Sequence, residues 1–426
     1  MATVSTELAL LGGAPVVDRV PSIMPPAVGN SDLDLIADLV RRGETAYVGH
    51  EGQVGAFEEE FKRYAGTTHA LAVNSGTSAL YSAFFGIGLT AGDEVLAPTY
   101  TFLATVMPIF AVNAVPVLVD VDASTGNLDP DDMERHVTSR TRAIVVTHLN
   151  GVPADMDVIM PMARRHGLAV VEDCSQAHGA VCSGMNVGSF GDAGAFSLQA
   201  KKTVTAGTGG ILITDNQRVY ERAVMLGHFL DRAEEDVRSA EYAQFATTGF
   251  GLNLRMHPLG AVLARSSLRQ LDDILTVRQR NYEHMDRLLT EIPGVQPPVR
   301  RAYMDRVSHY SYQPLYRSDE LGGLPIDTYT KAVAAEGVPL SRPRSGAMHQ
   351  QPAFQDPAWD SQTFSTAASR YRRYRGDEFP GSATYLAHAL RLPVHSIDIR
   401  PDLDRWAEAL SKVAANVDKL KRAEGI

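Results

Sequence analysis

The sequence predicts an α/β protein with a mostly parallel sheet that is covered by helices on both faces. Short apolar segments alternate with helical patterns from about residue 69 to residue 214. Several of these segments are apolar and β-branched throughout, as expected of strands buried on both sides. Strands alternating with helices in this way are typical of a parallel sheet. A smaller α+β domain is expected after this region.

Composition and charge narrow the class of protein. The net charge of the 426 residues is −10, which argues against nucleic-acid binding by bulk electrostatics. The two cysteines, Cys174 and Cys182, cannot form a disulfide framework and fit a reducing cytoplasm. The N-terminus has no basic signal region, and no apolar run approaches the roughly 20 residues of a membrane helix. We expect a soluble, cytoplasmic protein with no membrane or nucleic-acid partner and no metal site.

The chain is expected to divide into four parts. Residues 1–30 are rich in Pro and Gly and are typical of an arm over a neighbouring surface. Residues 31–257 carry the alternating pattern and form the large domain. Residues 258–290 are one long helical stretch with apolar positions at 3–4 spacing, which predicts a bridge. Residues 291–426 form the smaller C-terminal domain.

Each element of the large domain has a local signal. Two amphipathic helices come first, SDLDLIADLVRRG with a serine cap and VGAFEEEFKRYAG ending at Gly66. The expected strands are HALAV, DEVLAPTYT, VPVLVDVD, RAIVVTHLN, LAVVEDCSQ, GAFSLQA and GGILITD. The helices between them are SALYSAFFGIGL, TFLATVMPIFAVNA and MDVIMPMARRHG. In the smaller domain, HYSYQPLYR alternates like a strand, and TYTKAVAAEG and DRWAEALSKVAANVDKL are helical.

The segment VVEDCSQAHGA is the part of the sequence that points most directly to chemistry. It begins as an apolar strand and ends in Glu172 and Asp173, and ligands of open α/β sheets bind beyond the carboxyl ends of the strands. About two dozen residues later, Lys201 and Lys202 lie in a loop that ends in glycines. Together with an earlier Ser-Gly-Thr turn, these residues indicate a pyridoxal phosphate (PLP) site. There an acid pairs with the pyridinium nitrogen and a lysine holds the cofactor covalently.

The Ser-Gly-Thr turn lies in VNSGTSALYSAF, where a strand breaks into a helix. Gly76 permits a tight turn, and the helix N-terminus with the hydroxyls of Thr77 and Ser78 suits a phosphate. Taken alone, the pattern is more often an ordinary helix cap. No Gly-Lys-Ser/Thr follows, so it is not a Walker loop.

Other candidates also have a simpler interpretation. Phe102 lies just past a strand end, where its ring could stack on a flat cofactor, although a lone Phe is more commonly a core residue. Asp173 could only cap the following turn. Gln176 could donate a hydrogen bond to a phenolic oxygen, and His178 is expected to be structural.

Lys201 and Lys202 are harder to separate. An exposed loop position is the usual interpretation for either lysine. A lysine that bonds a cofactor needs a neutral amine, which a desolvated site near other cations promotes. Spacing alone leaves both residues as candidates.

Five motifs in order resemble the DegT/DnrJ/EryC1/StrS family of PLP-dependent aminotransferases. They are NSGTSAL, PTYTF, VEDCSQAHGA, FSLQAKKTVTAGTGG and GFGLNLRMHPL, and the resemblance runs from about residue 30 to past residue 400. It implies PLP-dependent transferase fold type I, the aspartate aminotransferase-like fold. It also implies transfer of an amino group from glutamine or glutamate to a keto sugar or keto cyclitol, in amino sugar or antibiotic biosynthesis.

The resemblance assigns roles to individual residues. Asp173 corresponds to the acid at the pyridine nitrogen, and Gln176 to the residue beside the phenolic oxygen. Because the family's lysine comes five residues after a phosphate-binding serine, Ser197 selects Lys202 over Lys201. Gly76, Thr77, Ser78 and Phe102 correspond to the phosphate turn and the ring-stacking position. Asn253 corresponds to an asparagine that reaches the phosphate of the other subunit, which implies a homodimer with shared active sites.

One position departs from the family pattern. Thr208 stands where the family usually has a glutamate, in Gly-Thr-Gly-Gly, which removes a carboxylate and puts substrate preference in question. Two alternatives therefore remain beside aminotransfer. A sugar dehydratase or epimerase is disfavoured by Lys202, because relatives that dehydrate carry histidine there. Thr208 is the only sequence feature that favours the other alternative, a non-catalytic, PLP-binding regulator.

The acceptor is left open between two kinds of keto compound. A nucleotide-linked sugar needs cations for a diphosphate, and Arg342 and Arg344 are candidates. A free cyclitol needs groups that bind hydroxyls, and His349 and His395 are candidates. Both pairs could equally be surface or packing residues.

Overall fold

The computed structural model describes residues 7–23, 26–46, 49–356 and 373–425. Its strands are β1 (His69–Val73), β2 (Glu94–Pro98), β3 (Val115–Val119), β4 (Thr141–Thr147), β5 (Ala169–Asp173), β6 (Val181–Cys182), β7 (Met185–Asn186), β8 (Ala193–Ser197), β9 (Gly210–Thr214), β10 (Val295–Gln296), β11 (Met304–Arg306) and β12 (Leu315–Tyr316). Seven of them form the central sheet in the order β1-β9-β8-β5-β4-β2-β3.

The directions of the strands determine which strand ends lie together at one edge of the sheet. Strands β3, β2, β4, β5 and β8 run parallel to one another. Strand β9 is antiparallel to both β8 and β1, so β1 points the same way as the parallel strands. All strands of this sheet except β9 therefore end at one edge. In register, Asp173 of β5 lies between Thr147 of β4 and Ala195 of β8.

Helices cover both faces of the sheet, as the sequence predicts. The helices of the described chain, including those of its C-terminal part, are α1 (Asn30–Arg42), α2 (Gly52–Ala65), α3 (Gly76–Gly86), α4 (Leu103–Ala111), α5 (Pro130–Arg135), α6 (Met156–His166), α7 (Gln217–Gly227), α8 (Asp231–Asp236), α9 (Ala240–Ala243), α10 (Pro258–Arg269), α11 (Leu271–Leu289), α12 (Ile326–Ala335), α13 (Pro380–His388), α14 (Arg400–Ala415) and α15 (Val417–Glu424). One apolar core lies under α2, α6 and α10, and a second lies under α3, α4 and α7. The predicted fold class, a mostly parallel α/β sheet covered by helices, is confirmed.

Some local predictions are wrong in detail. The stretch expected to be one helix over 258–290 is two, because the chain breaks at Gln270, whose side chain hydrogen-bonds both the N–H and the carbonyl of Ala27. The first helix begins after Gly29, and Ser31 lies inside it and is not its cap. In HYSYQPLYR only Leu315–Tyr316 pairs as a strand; Tyr312 contributes a single bridge to Leu392.

A third core joins the N-terminal arm to the C-terminal part of its own chain. Leu8, Val16 and Val17 are buried there against α11, α12 and α14. The buried Glu336 fixes the arm by accepting the N–H groups of Ala9 and Val16, and it pairs with Lys412 at 2.9 Å. These contacts hold the arm against the C-terminal part of its own chain. The domain boundaries stay a prediction.

Across the described ranges, none of the helices has the length and apolar character needed to cross a bilayer.

Candidate active site

Asp173 ends β5 and is buried at the edge where the parallel strands finish. Its Oδ2 accepts a hydrogen bond from the Thr105 hydroxyl at 2.6 Å, and its Oδ1 accepts one from the backbone N–H of Ser175 at 3.0 Å. Thr105 is oriented by Thr101, which also contacts Thr147. The carboxylate is therefore held in one orientation by strands and helix together.

Glu172, the neighbour of Asp173, lies on the opposite face of β5, because side chains alternate along a strand. It is fully buried and accepts hydrogen bonds from the N–H groups of Gly188, Phe190 and Gly191 at 2.7–2.8 Å. His148 Nε2 lies 3.0 Å from its Oε2. This network fixes the loop that leads into β8, and so it fixes the position of Ser197.

The Ser-Gly-Thr turn lies directly against Ser197. A β-carbon at Gly76 would lie 2.6 Å from the Cβ of Ser197, so only glycine permits this approach. Ser75 is the helix cap, since its hydroxyl accepts the N–H of Ser78 at 3.1 Å. The N-terminus of α3, the exposed Thr77, the half-buried Ser78 and Ser197 thus share one corner of the sheet edge.

The structure separates the two lysines by their surroundings. Lys201 is exposed, whereas Lys202 is half-buried and its Nζ lies 4.3 Å from the centre of the Tyr310 ring. Their backbone is pinned to Gln199, whose carbonyl accepts the Lys202 N–H at 2.8 Å and whose side chain accepts the Lys201 N–H at 2.9 Å. Both lysines line the same cleft, but only Lys202 packs against the Tyr310 ring.

Gln176 is positioned by Asn150. Its Oε1 accepts the Asn150 N–H at 2.7 Å, which leaves Nε2 as the end of the amide that can donate into the cleft. Asn150 and His309 both have left-handed backbone (φ 58° and φ 51°), which is uncommon for residues other than glycine and often marks functional sites. The Asn150 carbonyl accepts the N–H of Tyr310 at 2.9 Å, so this strained pair connects Gln176 to the ring over Lys202.

His178 is buried behind these groups. Burial, together with the nearby charges of Lys202 and Arg278, lowers its pKa to about 3. Its ring packs 5.4 Å from that of Phe196 on β8. A neutral imidazole in this position supports the strand that carries Ser197, in keeping with the structural role expected for it.

Phe102 is one of the most exposed large apolar residues of the described chain, with 56% of its surface accessible. It begins α4 and lines the same small cleft as Gln176 and Tyr310. The interpretation as a core aromatic is therefore wrong, because the described part of the chain leaves more than half of this residue exposed.

Asn253 lies in an exposed segment next to the turn of its own chain. Its carbonyl oxygen accepts from Asn74 Nδ2 at 3.4 Å, and the Leu254 carbonyl accepts the Asn74 N–H at 2.7 Å. Its side-chain Oδ1 accepts from Arg255 Nε at 3.0 Å. Asn253 is thus close to the predicted phosphate turn, and its role toward a second subunit stays a prediction.

The residues considered for the acceptor separate into two groups. Arg342 pairs with Asp327 at 3.0 Å, and His349 is buried against Thr99 and the Phe379 ring, so both have packing roles. Arg344 and His395 line the cleft beside Lys202. Each predicted pair therefore contributes one residue to the cleft.

Sequence reasoning did not identify several residues that the structure brings to the site. They are Thr105, Asn150, Arg278, Tyr310 and Arg391. Asn150 alone carries a usable signal, since Asn before Gly is typical of a left-handed turn. The others come from helix interiors or from the C-terminal part of the chain, where no local pattern indicates a ligand.

Comparison with known proteins places this site in a family context. The model of the DegT/DnrJ/EryC1/StrS aminotransferase family matches residues 28–396. The chain is 38% identical over 344 residues to the L-glutamine:2-deoxy-scyllo-inosose aminotransferase of Streptoalloteichus tenebrarius, covering 79% of this chain and 80% of that protein. It is 34% identical over 361 residues to the enzyme of the same name from Streptomyces kanamyceticus, covering 83% and 84%. The solved structure of an aminotransferase from Psychrobacter cryohalolentis superposes with a TM-score of 0.80 at 27% identity, covering 93% of this chain and 100% of that one.

Proposed function

The chain belongs to the DegT/DnrJ/EryC1/StrS aminotransferase family, and we propose that it uses PLP to move an amino group from L-glutamine to an inosose, a cyclic keto polyol. The names of relatives that align over most of their length support this donor and this acceptor. We place the reaction in the biosynthesis of aminocyclitol antibiotics, within the cytoplasm. The observation that supports a bound cofactor is the arrangement at one edge of the sheet. There β5 ends at the buried Asp173, the chain after β8 leads to Lys202, and the N-terminus of α3 lies against Ser197.

The residues fit PLP on structural grounds. The corner between Gly76 and Ser197 exists only because the turn has no side chain there, and it presents backbone N–H groups and hydroxyls to an anion. Asp173 is buried and fixed by two donors, as a partner of a protonated ring nitrogen must be. Gln176 and the exposed Phe102 line one small cleft, where they could contact the ring of the cofactor.

The protein's part in the reaction follows from these positions. When bound, PLP supplies a conjugated ring that accepts electrons from the bond broken at the substrate carbon. Asp173 keeps the proton on the ring nitrogen, because a nearby anion favours the charged form. Lys202 Nζ would hold the cofactor covalently, and its free amine would move the proton at the substrate carbon. Tyr310 and Gln176 orient the groups around that transfer.

We include in the proposal a homodimer whose two sites are shared. Large apolar side chains that lie exposed at the start of α4 and in the segment before Asn253 support it. They are Phe102, Leu103, Phe245, Phe250 and Leu252, each 38–56% exposed. Apolar surface of this kind commonly marks a protein interface. Asn253 directly follows the last of these residues.

Mixed dimers test the shared site. If Asn253 serves the phosphate of the partner subunit, Asn253→Ala and Lys202→Ala proteins should each be poorly active alone. Subunit exchange should then restore up to about a quarter of the wild-type activity per total protein, because half the dimers are mixed and each holds one intact site. Mixed dimers confirmed by mass with no regained activity would assign Asn253 to its own subunit.

The reaction itself is tested with purified, PLP-loaded protein. L-Glutamine is expected to convert the visible absorption of the bound cofactor to that of its amine form, and an inosose should then reverse the change. L-Glutamate and a nucleotide-linked keto sugar serve as comparison donor and acceptor. Conversion by neither amino acid would favour a PLP-binding regulator, and reversal only by the nucleotide sugar would replace the proposed acceptor.

A further inference from the structure

A second cleft, larger than the one that Phe102 and Gln176 line, is bordered by Lys202 and shares part of its lining with the smaller cleft. It has a volume of about 640 Å³ and lies between the N-terminal arm and the C-terminal part of the chain. Five cationic side chains line it: Lys201, Lys202, Arg278, Arg344 and Arg391. Among its described lining residues there is no Asp or Glu, although the chain as a whole has 50 acidic and 40 basic residues. An acid-free cationic cleft in an acidic protein indicates an anionic ligand.

Arg391 is the cation best placed to bind that ligand. Its neighbours Leu390 and Leu392 are fully buried in the C-terminal core, so the alternation of the extended chain turns Arg391 toward the cleft. Its backbone is fixed by two hydrogen bonds to Ser341, at 2.7 and 3.0 Å. The side chain is half-buried, and within the described part of the chain it forms no ion pair.

Arg278 adds a second positive charge to the lining of this cleft. Its Nη atoms donate only to neutral oxygens, those of Thr203, Ser308, His309 and Ser396, at 2.8–3.3 Å. Its Nε is buried with no hydrogen-bond partner in the described chain, and burial lowers the pKa of this guanidinium to about 10. A buried cation without a carboxylate is costly, and a bound anion would offset that cost.

The position of the cleft identifies the kind of anion. Arg391, Arg344 and Tyr310 line both this cleft and the smaller one that holds Phe102 and Gln176. In an amino acid, the carboxylate is attached to the same carbon as the reacting amine. The carboxylate must therefore bind next to the place where that amine meets the cofactor, which is where Lys202 lies. A planar guanidinium binds a carboxylate with two parallel hydrogen bonds.

We propose that Arg391 binds the carboxylate of the amino donor and thereby determines that the donor is an amino acid and not a simple amine. The proposal rests on the proposed function only in naming the ligand as an amino donor. Arg278 acts behind it as a positioning residue, which holds the Ser308–His309 backbone and hence Tyr310.

The donor and acceptor half-reactions separate this role from a general one. Arg391→Gln is expected to lower kcat/KM for L-glutamine by about 100-fold, because one partner of a charge pair is lost. With L-glutaminamide, which lacks the carboxylate, wild type and variant should differ by less than about threefold. The inosose half-reaction should also be nearly unchanged. Arg391→Lys, which keeps the charge without the planar fork, should fall between.

Arg342→Gln is the matched control, since that arginine pairs with Asp327 and lies outside both clefts. Thermal unfolding of each variant checks that the fold is kept. An equal loss with L-glutamine and L-glutaminamide, or no loss with either, would overturn the proposal. So would an equal loss in the acceptor half-reaction.

A binding measurement tests, without any turnover, whether Arg391 binds the carboxylate of the donor. Glutaramate is glutamine without its amine and cannot react, and glutaramide is its uncharged analogue. Calorimetry with PLP-loaded protein should show glutaramate binding that is at least about tenfold weaker in Arg391→Gln, and glutaramide should not distinguish the two proteins. If wild-type protein transfers no amino group, the proposed function fails while this test still stands. If it transfers normally and glutaramate binds both proteins equally, only the role of Arg391 fails.

Discussion

Lys202→Ala protein is expected to lose amino transfer by at least about 10⁴-fold, the largest effect of any single substitution in this chain. A positioned proton-transfer group alone contributes about 10²–10⁴-fold, and Lys202 is proposed to hold the cofactor as well. The structure supports this choice, because the Lys202 amine packs 4.3 Å from the Tyr310 ring centre while Lys201 is exposed. Lys201→Ala is the matched control and should stay within about tenfold of wild type.

Borohydride reduction followed by peptide mapping gives a readout that does not depend on turnover. Reduction fixes the cofactor to the residue that holds it, so the labelled peptide should carry the modification on Lys202. In Lys202→Ala protein no label should form, while PLP bound non-covalently is still detectable after denaturation. A label on Lys201, or full activity of the Lys202→Ala protein, would reverse the assignment.

Asp173→Asn protein should retain the fold and part of the PLP but lose turnover by on the order of 10²–10⁴-fold. The neutral amide no longer favours a protonated ring nitrogen, so the cofactor accepts electrons less readily. The amide is close in size to the carboxylate and can still accept the hydrogen bond of Thr105 or of the Ser175 N–H. Steady-state kinetics together with the bound PLP per subunit measure the two effects separately.

The alternative role of Asp173 gives a different result. If the carboxylate only caps the turn through the Ser175 N–H, Asp173→Asn should be nearly as active as wild type and lose only stability. Thr105→Val provides an intermediate test, because it removes one donor and leaves the charge. It should lower turnover by less than Asp173→Asn does; a larger loss would show that Thr105 has a role beyond orienting the acid.

Much of this site could be predicted from local sequence, because the signals are local in origin. A β-branched apolar run that ends in acids determines a buried strand with Asp173 at its carboxyl end. A glycine between a strand and a helix determines the turn at Gly76. The resemblance added roles to these positions, and the match of the family model over residues 28–396 confirms the family.

Other features depended on contacts between distant residues. Arg342 and His349 have packing roles because their partners, Asp327 and Thr99, lie about 15 and 250 residues away in sequence. Arg344, in contrast, lines the cleft. The break at Gln270 followed from its bonds to Ala27, in the arm. Helical periodicity cannot reveal such a break, because the residues on both sides of it are good helix formers.

The sequence by itself determined the α/β sheet, the acid, the turn and the family of this protein. Only the tertiary structure decided which cations face the cleft, because that depends on strand order and on how the C-terminal part and the arm close over Lys202. Arg278 and Arg391 lie about 75 and 190 residues beyond Lys202, in segments whose patterns encode only a helix face and a buried extended segment. Burial preference and backbone conformation are encoded locally, whereas the meeting of charges from separate elements is a property of their packing.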